Sequence, residues 1–154
     1  MPTSNRHSPR PNPARYHFQS DPACIGDVIA DVLSNSQLQP LSDDDISKLE
    51  IILAEVINNI AEHAYGERSD GPIEMSADRE GDRMVLTFSD TGIPMPDGKS
   101  PEGSPQNLDC PTDELPEGGF GWFLIRLLCK DVHYERLGNK NCLALFVDLD
   151  PRPT

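Results

Sequence analysis

The chain's 154 residues are enough for one domain with a buried core, and 26 acidic against 13 basic side chains leave a formal net charge of −13. So acidic a surface excludes general binding to nucleic acid, which needs cationic groups to displace counterions from the phosphates. No apolar stretch approaches the roughly 20 residues that cross a bilayer, and the first residues carry no signal-peptide apolar segment, so a cytoplasmic protein without a membrane partner is expected.

Residues 1–14 mix Pro2, Pro9, Pro11 and Pro13 with Arg6 and Arg10 and read as a flexible basic leader outside the domain. A short strand is expected from Arg15 to Gln19, where Tyr16 and Phe18 alternate. Asp21 and Pro22 then read as the N-cap and first position of a helix carrying Ile25, Val28, Ile29, Val32 and Leu33 on one stripe. A longer helix is predicted from Ser42 to Ala64. Ser42 and Asp45 suit a capping box, Asp43 to Asp45 favour the positive dipole end, and Gly66 stops it. Its residues Ile46, Leu49, Ile52, Leu53, Val56, Ile57 and Ile60 share one side, with Glu55, Asn58, Asn59 and Glu62 on the other.

The alternating segments Ile73-Met75-Ala77 and Met84-Leu86-Phe88 predict a hairpin closed by Arg79-Glu80-Gly81-Asp82. Residues 93–118 hold six of the 15 prolines, six acidic side chains and a single cation, Lys99. So long a segment without a periodic pattern reads as a mobile loop, the kind that often serves as a lid. A third helix is expected to open at Gly118-Gly119-Phe120-Gly121, with Phe123, Leu124, Leu127 and Leu128 on its apolar face. Strands near Val132–Arg136 and Cys142–Leu149 follow, the run Leu143 to Val147 suiting a strand buried on both faces. The pattern predicts an α+β fold with helices on one face of a mostly antiparallel sheet. The four cysteines, Cys24, Cys110, Cys129 and Cys142, form no C-x-x-C pair and read as reduced thiols.

Three features carry chemistry. Glu55 and Asn59, four residues apart, point the same way and can share a water and a hard cation, though the same residues fit an ordinary solvated face. Asp90-Thr91-Gly92 fits either a plain turn or a carboxylate that accepts from an exocyclic amine, with Gly92 allowing close approach. Gly118, Gly119 and Gly121 fit either loop flexibility or backbone N–H groups turned toward phosphate at a helix start.

In this order and approximate spacing, the three motifs resemble the GHKL ATPase superfamily. The wording L-A-E-V-I-N-N-I-A-E-H-A-Y-G (Leu53 to Gly66), D-T-G-I-P (Asp90 to Pro94) and G-G-F-G-W-F-L-I-R (Gly118 to Arg126) resembles its single-domain anti-sigma factor serine/threonine kinases. The resemblance spans residues 15–149 and leaves 150–154 as a tail. It implies a Bergerat, histidine-kinase-like ATPase fold, with helices over a mixed sheet and residues 93–118 as ATP lid. It also implies ATP and Mg²⁺ as cofactors, Glu55 as general base, Asn59 as Mg²⁺ ligand and Asp90 at the adenine amine. Gly92 would lie beside the base, Gly118, Gly119 and Gly121 at the phosphates, and Asn141, expected in the turn before the last strand, at the nucleotide.

The implied activity is phosphorylation of an anti-sigma-factor antagonist protein by a kinase that also binds a sigma factor, with homodimer formation. Two departures keep an alternative open, a non-catalytic nucleotide-binding module that sequesters a protein partner. Pro94 replaces the second glycine of the D-x-G-x-G box, a change this small-kinase branch tolerates, whereas Pro116 and Glu117 stand where relatives often carry a basic residue and leave Lys99 as the lid's single cation, so cationic support for phosphoryl transfer is thin.

Overall fold

The computed structural model describes residues 12–66, 68–101 and 119–151. Five strands form one sheet in the order β1-β2-β3-β5-β4: β1 (Ala14–Gln19), β2 (Pro72–Glu80), β3 (Arg83–Asp90), β4 (Asp131–Leu137) and β5 (Lys140–Asp148). Each of the four described pairings is antiparallel, so the expected mostly antiparallel sheet carries no parallel pair among the described residues. Helices α1 (Pro22–Ser34), α2 (Asp43–Asn59) and α3 (Gly119–Leu128) supply the helical layer.

Strand alternation decides which side chains meet that layer. Ile73, Met75 and Ala77 of β2, Met84, Leu86 and Phe88 of β3, and Leu143, Leu145 and Val147 of β5 are buried. They form one core with Leu49, Ile52, Leu53, Val56 and Ile57 of α2 and with Ile25 and Val32 of α1. The helical stripes read from the sequence are therefore the faces that pack.

Two expectations need correction. Ala144 and Phe146, between the buried positions of β5, are only half-buried, so this strand is covered on one face rather than two. The run looked two-faced because Ala144 and Phe146 are apolar in themselves. On α3, Trp122 and Ile125 are buried, with Cys129 just beyond the helix, while Leu127 is 66% exposed. That helix is apolar nearly all round, so its periodicity did not say which face turns inward.

Asp21 caps α1, its Oδ1 accepting from the Ala23 N–H at 3.0 Å. The predicted capping box of α2 is present and is extended by the chain's far end. Ser42 Oγ accepts from the Asp45 N–H at 3.0 Å and donates to Asp150 Oδ2 at 2.6 Å. The Asp45 carboxylate in turn accepts from the Ser42 N–H at 3.2 Å and the Asp150 N–H at 3.0 Å. Lys48 Nζ donates to the Asp148 carbonyl at 2.9 Å.

Asp45 is 2% exposed, so Asp45→Ala leaves two backbone N–H groups without their acceptor. Loss of such a partner costs about 1–3 kcal/mol. The expected result is a lower urea midpoint with an unchanged denaturant slope.

α2 ends in a π-helical turn, Ile60–Ala64, before Gly66 at φ 63°. The predicted helix to Ala64 is thus continuous, with its last turn widened. Cys24, Cys129 and Cys142 are free thiols, as expected, and Cys110 lies outside the described residues. Burial pushes the Cys129 thiol up to about 12, so it packs as a small apolar group.

Candidate active site

Asp90, the last residue of β3, is 6% exposed. Burial raises its pKa; hydrogen bonds from Asn141 and the Gly92 N–H, and the nearby Arg136 guanidinium, act against the rise. Its Oδ1 accepts from the Gly92 N–H at 2.9 Å and from Asn141 Nδ2 at 2.8 Å. Among the described residues no donor reaches Oδ2.

Asn141 lies within β5, opposite Asp90 in register, and not in the turn before it. The turn is tighter than expected, with β4 and β5 separated only by Gly138 and Asn139. The Asn141 amide orientation is set by donors from β4. Arg136 Nη1 reaches Oδ1 at 3.0 Å, and the Tyr134 hydroxyl donates to it at 2.5 Å. A guanidinium only donates, so the end it meets is the oxygen and the NH₂ is aimed at Asp90.

The same three side chains hold the segment after β3. Arg136 Nη1 donates to the Gly92 carbonyl at 2.7 Å, Asn141 Nδ2 to the Ile93 carbonyl at 2.8 Å, and the Met95 N–H to the Tyr134 hydroxyl at 3.0 Å. From the helical side, the Ile93 N–H donates to the Ala64 carbonyl at 2.9 Å, and the Thr91 N–H to the Tyr65 hydroxyl at 2.7 Å. A Cβ on Gly92 would collide with the Ala64 carbonyl, so glycine is required there by the end of α2 itself.

Glu55 and Asn59 are half-buried on the polar side of α2, facing the first turns of α3. A Cβ at Gly121 would stand 2.5 Å from Glu55 Oε2, so that glycine keeps α3 close to the carboxylate. The Trp122 indole N–H donates to Asn59 Oδ1 at 3.2 Å. Gly119 is the first residue of α3; Gly118 lies outside the described residues, as do residues 102–118 of the expected lid and residues 1–11 of the leader. The segment before the undescribed stretch is held by Arg126, whose guanidinium donates to the Ser100 hydroxyl at 2.6 Å and the Pro101 carbonyl at 3.0 Å.

These residues frame two adjoining cavities. The larger, about 370 Å³ and mostly apolar, includes Asp90, Asn141, Ile60, Ile93 and Met95 in its lining. The smaller, about 210 Å³ and mostly polar, is lined by Glu55, Asn58, Asn59, Glu62 and Gly121 among others. Asn59, His63 and Trp122 line both. His63 is exposed.

The donor set suits a nucleotide with magnesium. An apolar slot ending in an unfilled carboxylate oxygen fits a flat base bearing an amine, and the hard oxygens of Glu55 and Asn59 fit Mg²⁺. Among the described residues no group of three or more His, Cys, Asp or Glu side chains is placed to hold a metal by itself. Mg²⁺ typically takes one or two protein oxygens and completes its shell with phosphate and water.

Motif spacing pointed to Glu55, Asn59 and Asp90, and they do gather along one cleft. Tyr65, Trp122, Tyr134 and Arg136 were not anticipated. The strongest signal for Arg136 lay in β4, where it occupies an inward position of the Val132-Tyr134-Arg136 alternation.

A histidine kinase-like ATPase domain model matches residues 18–146. The serine-protein kinase RsbW of Oceanobacillus iheyensis is 33% identical over 92 residues, covering 59% of this chain and 58% of that protein. RsbW of Bacillus cereus strain B4264 is 34% identical over 91 residues, covering 58% and 56%. The chain thus spans less than two thirds of the length of these curated relatives. Among solved structures, the blue-light activated histidine kinase of Erythrobacter litoralis EL346 superposes with a TM-score of 0.54 at 15% identity, over 82% of this chain and 40% of that one, and shares the fold.

Proposed function

Since the chain belongs to the histidine kinase-like ATPase domain family, we propose that it binds ATP with Mg²⁺ in the two-cavity cleft and transfers the γ-phosphoryl group to a serine or threonine of a protein partner. One observation carries this reading: Asn59, His63 and Trp122 line both cavities, so the base-accepting carboxylate and Glu55 belong to one continuous site.

When bound, Mg²⁺ and ATP supply the phosphoryl group and the neutralisation of phosphate charge. Asp90 Oδ2 accepts from the adenine amine, with Gly92 and Asn141 holding the carboxylate from its other oxygen. Asn59 offers its carboxamide oxygen to the metal. The N–H groups at the start of α3, at Gly119 and Gly121, would meet phosphate oxygens at the positive end of the helix dipole, and the motif assigns Gly118 the same role. Glu55 takes the proton of the attacking hydroxyl as general base.

The motif resemblance and the serine-protein kinase relatives support a partner-switching role, with an anti-sigma-factor antagonist as phosphoryl acceptor and a sigma factor as a second partner. Homodimer formation and a cytoplasmic location belong to the same proposal; among the described residues no helix is long and apolar enough to cross a membrane.

A second reading has its own observation. Among the described residues none of the side chains lining the polar cavity is Lys or Arg, which leaves little cationic support there for a transferring phosphoryl group. On that reading the protein binds nucleotide and sequesters its partner without transfer. Calorimetry with ATP, with and without Mg²⁺, followed by labelled ATP added to the protein co-purified with its partners, decides between them. Mg²⁺-dependent binding with label on a partner is expected; binding without label selects the sequestering module, and no binding overturns both.

A further inference from the structure

We propose that Trp122 is the positioning residue of the metal site, its indole N–H setting the orientation of the Asn59 carboxamide so that the oxygen is presented to Mg²⁺. The proposal rests on the ATP and Mg²⁺ reading above. An unbranched carboxamide offers an oxygen and an NH₂ of almost the same shape, and a metal ligand must present the oxygen. Indole nitrogen only donates, so the Asn59 atom it meets at 3.2 Å is the oxygen.

Among the described residues this is the hydrogen bond that fixes the Asn59 side chain, which makes no cap to the π-helical turn that follows it. The oxygen has a second lone pair, so one can stay with the indole while the other meets a cation. Trp122 is well suited to hold the arrangement, being 3% exposed and packed in the core with Ile125. It lines both cavities, so the group that orients the metal ligand also stands where the base slot meets the polar cavity.

Trp122→Phe keeps an aromatic ring and removes only the donor and part of the area. The expected result is a gain in ATP affinity on adding Mg²⁺ that is about three- to tenfold smaller than in the unaltered protein, the scale of one lost hydrogen bond, beyond any change in the Kd measured in EDTA. A purely structural role would weaken binding equally with and without Mg²⁺.

Trp122 is the only tryptophan in the chain, so its emission gives a second measurement on the unsubstituted protein. Emission of the ATP-bound protein should shift on adding Mg²⁺, and Asn59→Ala should abolish that shift while the response to ATP alone persists. An unchanged Mg²⁺ gain in Trp122→Phe, or an emission shift that survives Asn59→Ala, overturns the proposal and leaves ATP binding standing. Failure of the unaltered protein to bind ATP overturns the functional reading and the proposal together.

Discussion

Glu55→Gln is expected to lower phosphoryl transfer to the cognate partner by about 10²- to 10⁴-fold, the usual loss when a general base is removed. The isosteric amide fills the same space against Gly121 but takes no proton. Glu55 contributes nothing to the core, since α2 is anchored through Leu49, Ile52, Leu53, Val56 and Ile57 on its other side. Melting temperature, ATP affinity and partner capture should therefore stay near those of the unaltered protein while labelled phosphate on the partner falls. Transfer at the original rate would remove Glu55 from the proposed mechanism.

Asp90→Asn is expected to weaken ATP binding by about 10- to 100-fold, the scale of a hydrogen bond to a charged group. Asparagine can still accept from Gly92 and Asn141 through one oxygen, but it places an NH₂ where Oδ2 stood, so donor would meet donor at the adenine amine. Protonation of Asp90 has the same consequence. Because burial raises this carboxyl above its ordinary value, ATP affinity should begin to fall on acidification at a higher pH than an exposed aspartate would give.

Stability moves the opposite way. A carboxyl whose folded pKa lies above its unfolded one holds its proton more tightly in the folded chain. It therefore favours folding at acid pH and loses that contribution as pH rises through the folded value. Asp90→Asn removes this charge burial, so its melting temperature at neutral pH should be no lower than that of the unaltered protein. Calorimetric titrations across pH, paired with thermal melts, check both signs. Affinity in Asp90→Asn equal to the original would place the base elsewhere.

The stripes of α1 and α2 and the hairpin of β2 and β3 were legible because each pattern has one period and one buried side. α3 was legible as a helix but not in its rotation, because Phe123, Leu124, Ile125, Leu127 and Leu128 crowd around the whole circumference. Of the candidate site, Glu55, Asn59 and Asp90 were legible because their motifs resemble, in order and wording, those of a known superfamily. Their supports could not. Trp122 meets Asn59 across 63 residues and Asn141 meets Asp90 across 51, and such pairs exist only once α3 and β5 are docked. Gly92 was expected to admit a ligand, whereas the fold shows a nearer reason for it in the Ala64 carbonyl.

In mechanical terms, α2 is a beam with both supports built in. At one end Ser42, Asp45 and Lys48 are fixed to Asp148 and Asp150 beyond the centre of the sheet. At the other, Ala64 and Tyr65 are fixed to Thr91 and Ile93. A beam held this way is expected to bend little between its supports, where Glu55 and Asn59 stand, so these two groups are expected to keep one spacing on ligand binding. Any accommodation of a ligand then falls to the opposite wall, the first turns of α3 and the strip from Pro94 to Pro101. α2 is thus expected to be the stiffer wall of the cleft, with Trp122 tying the start of α3 to it through Asn59. Amide exchange should be slowest along the middle of α2 and should respond to nucleotide chiefly in α3.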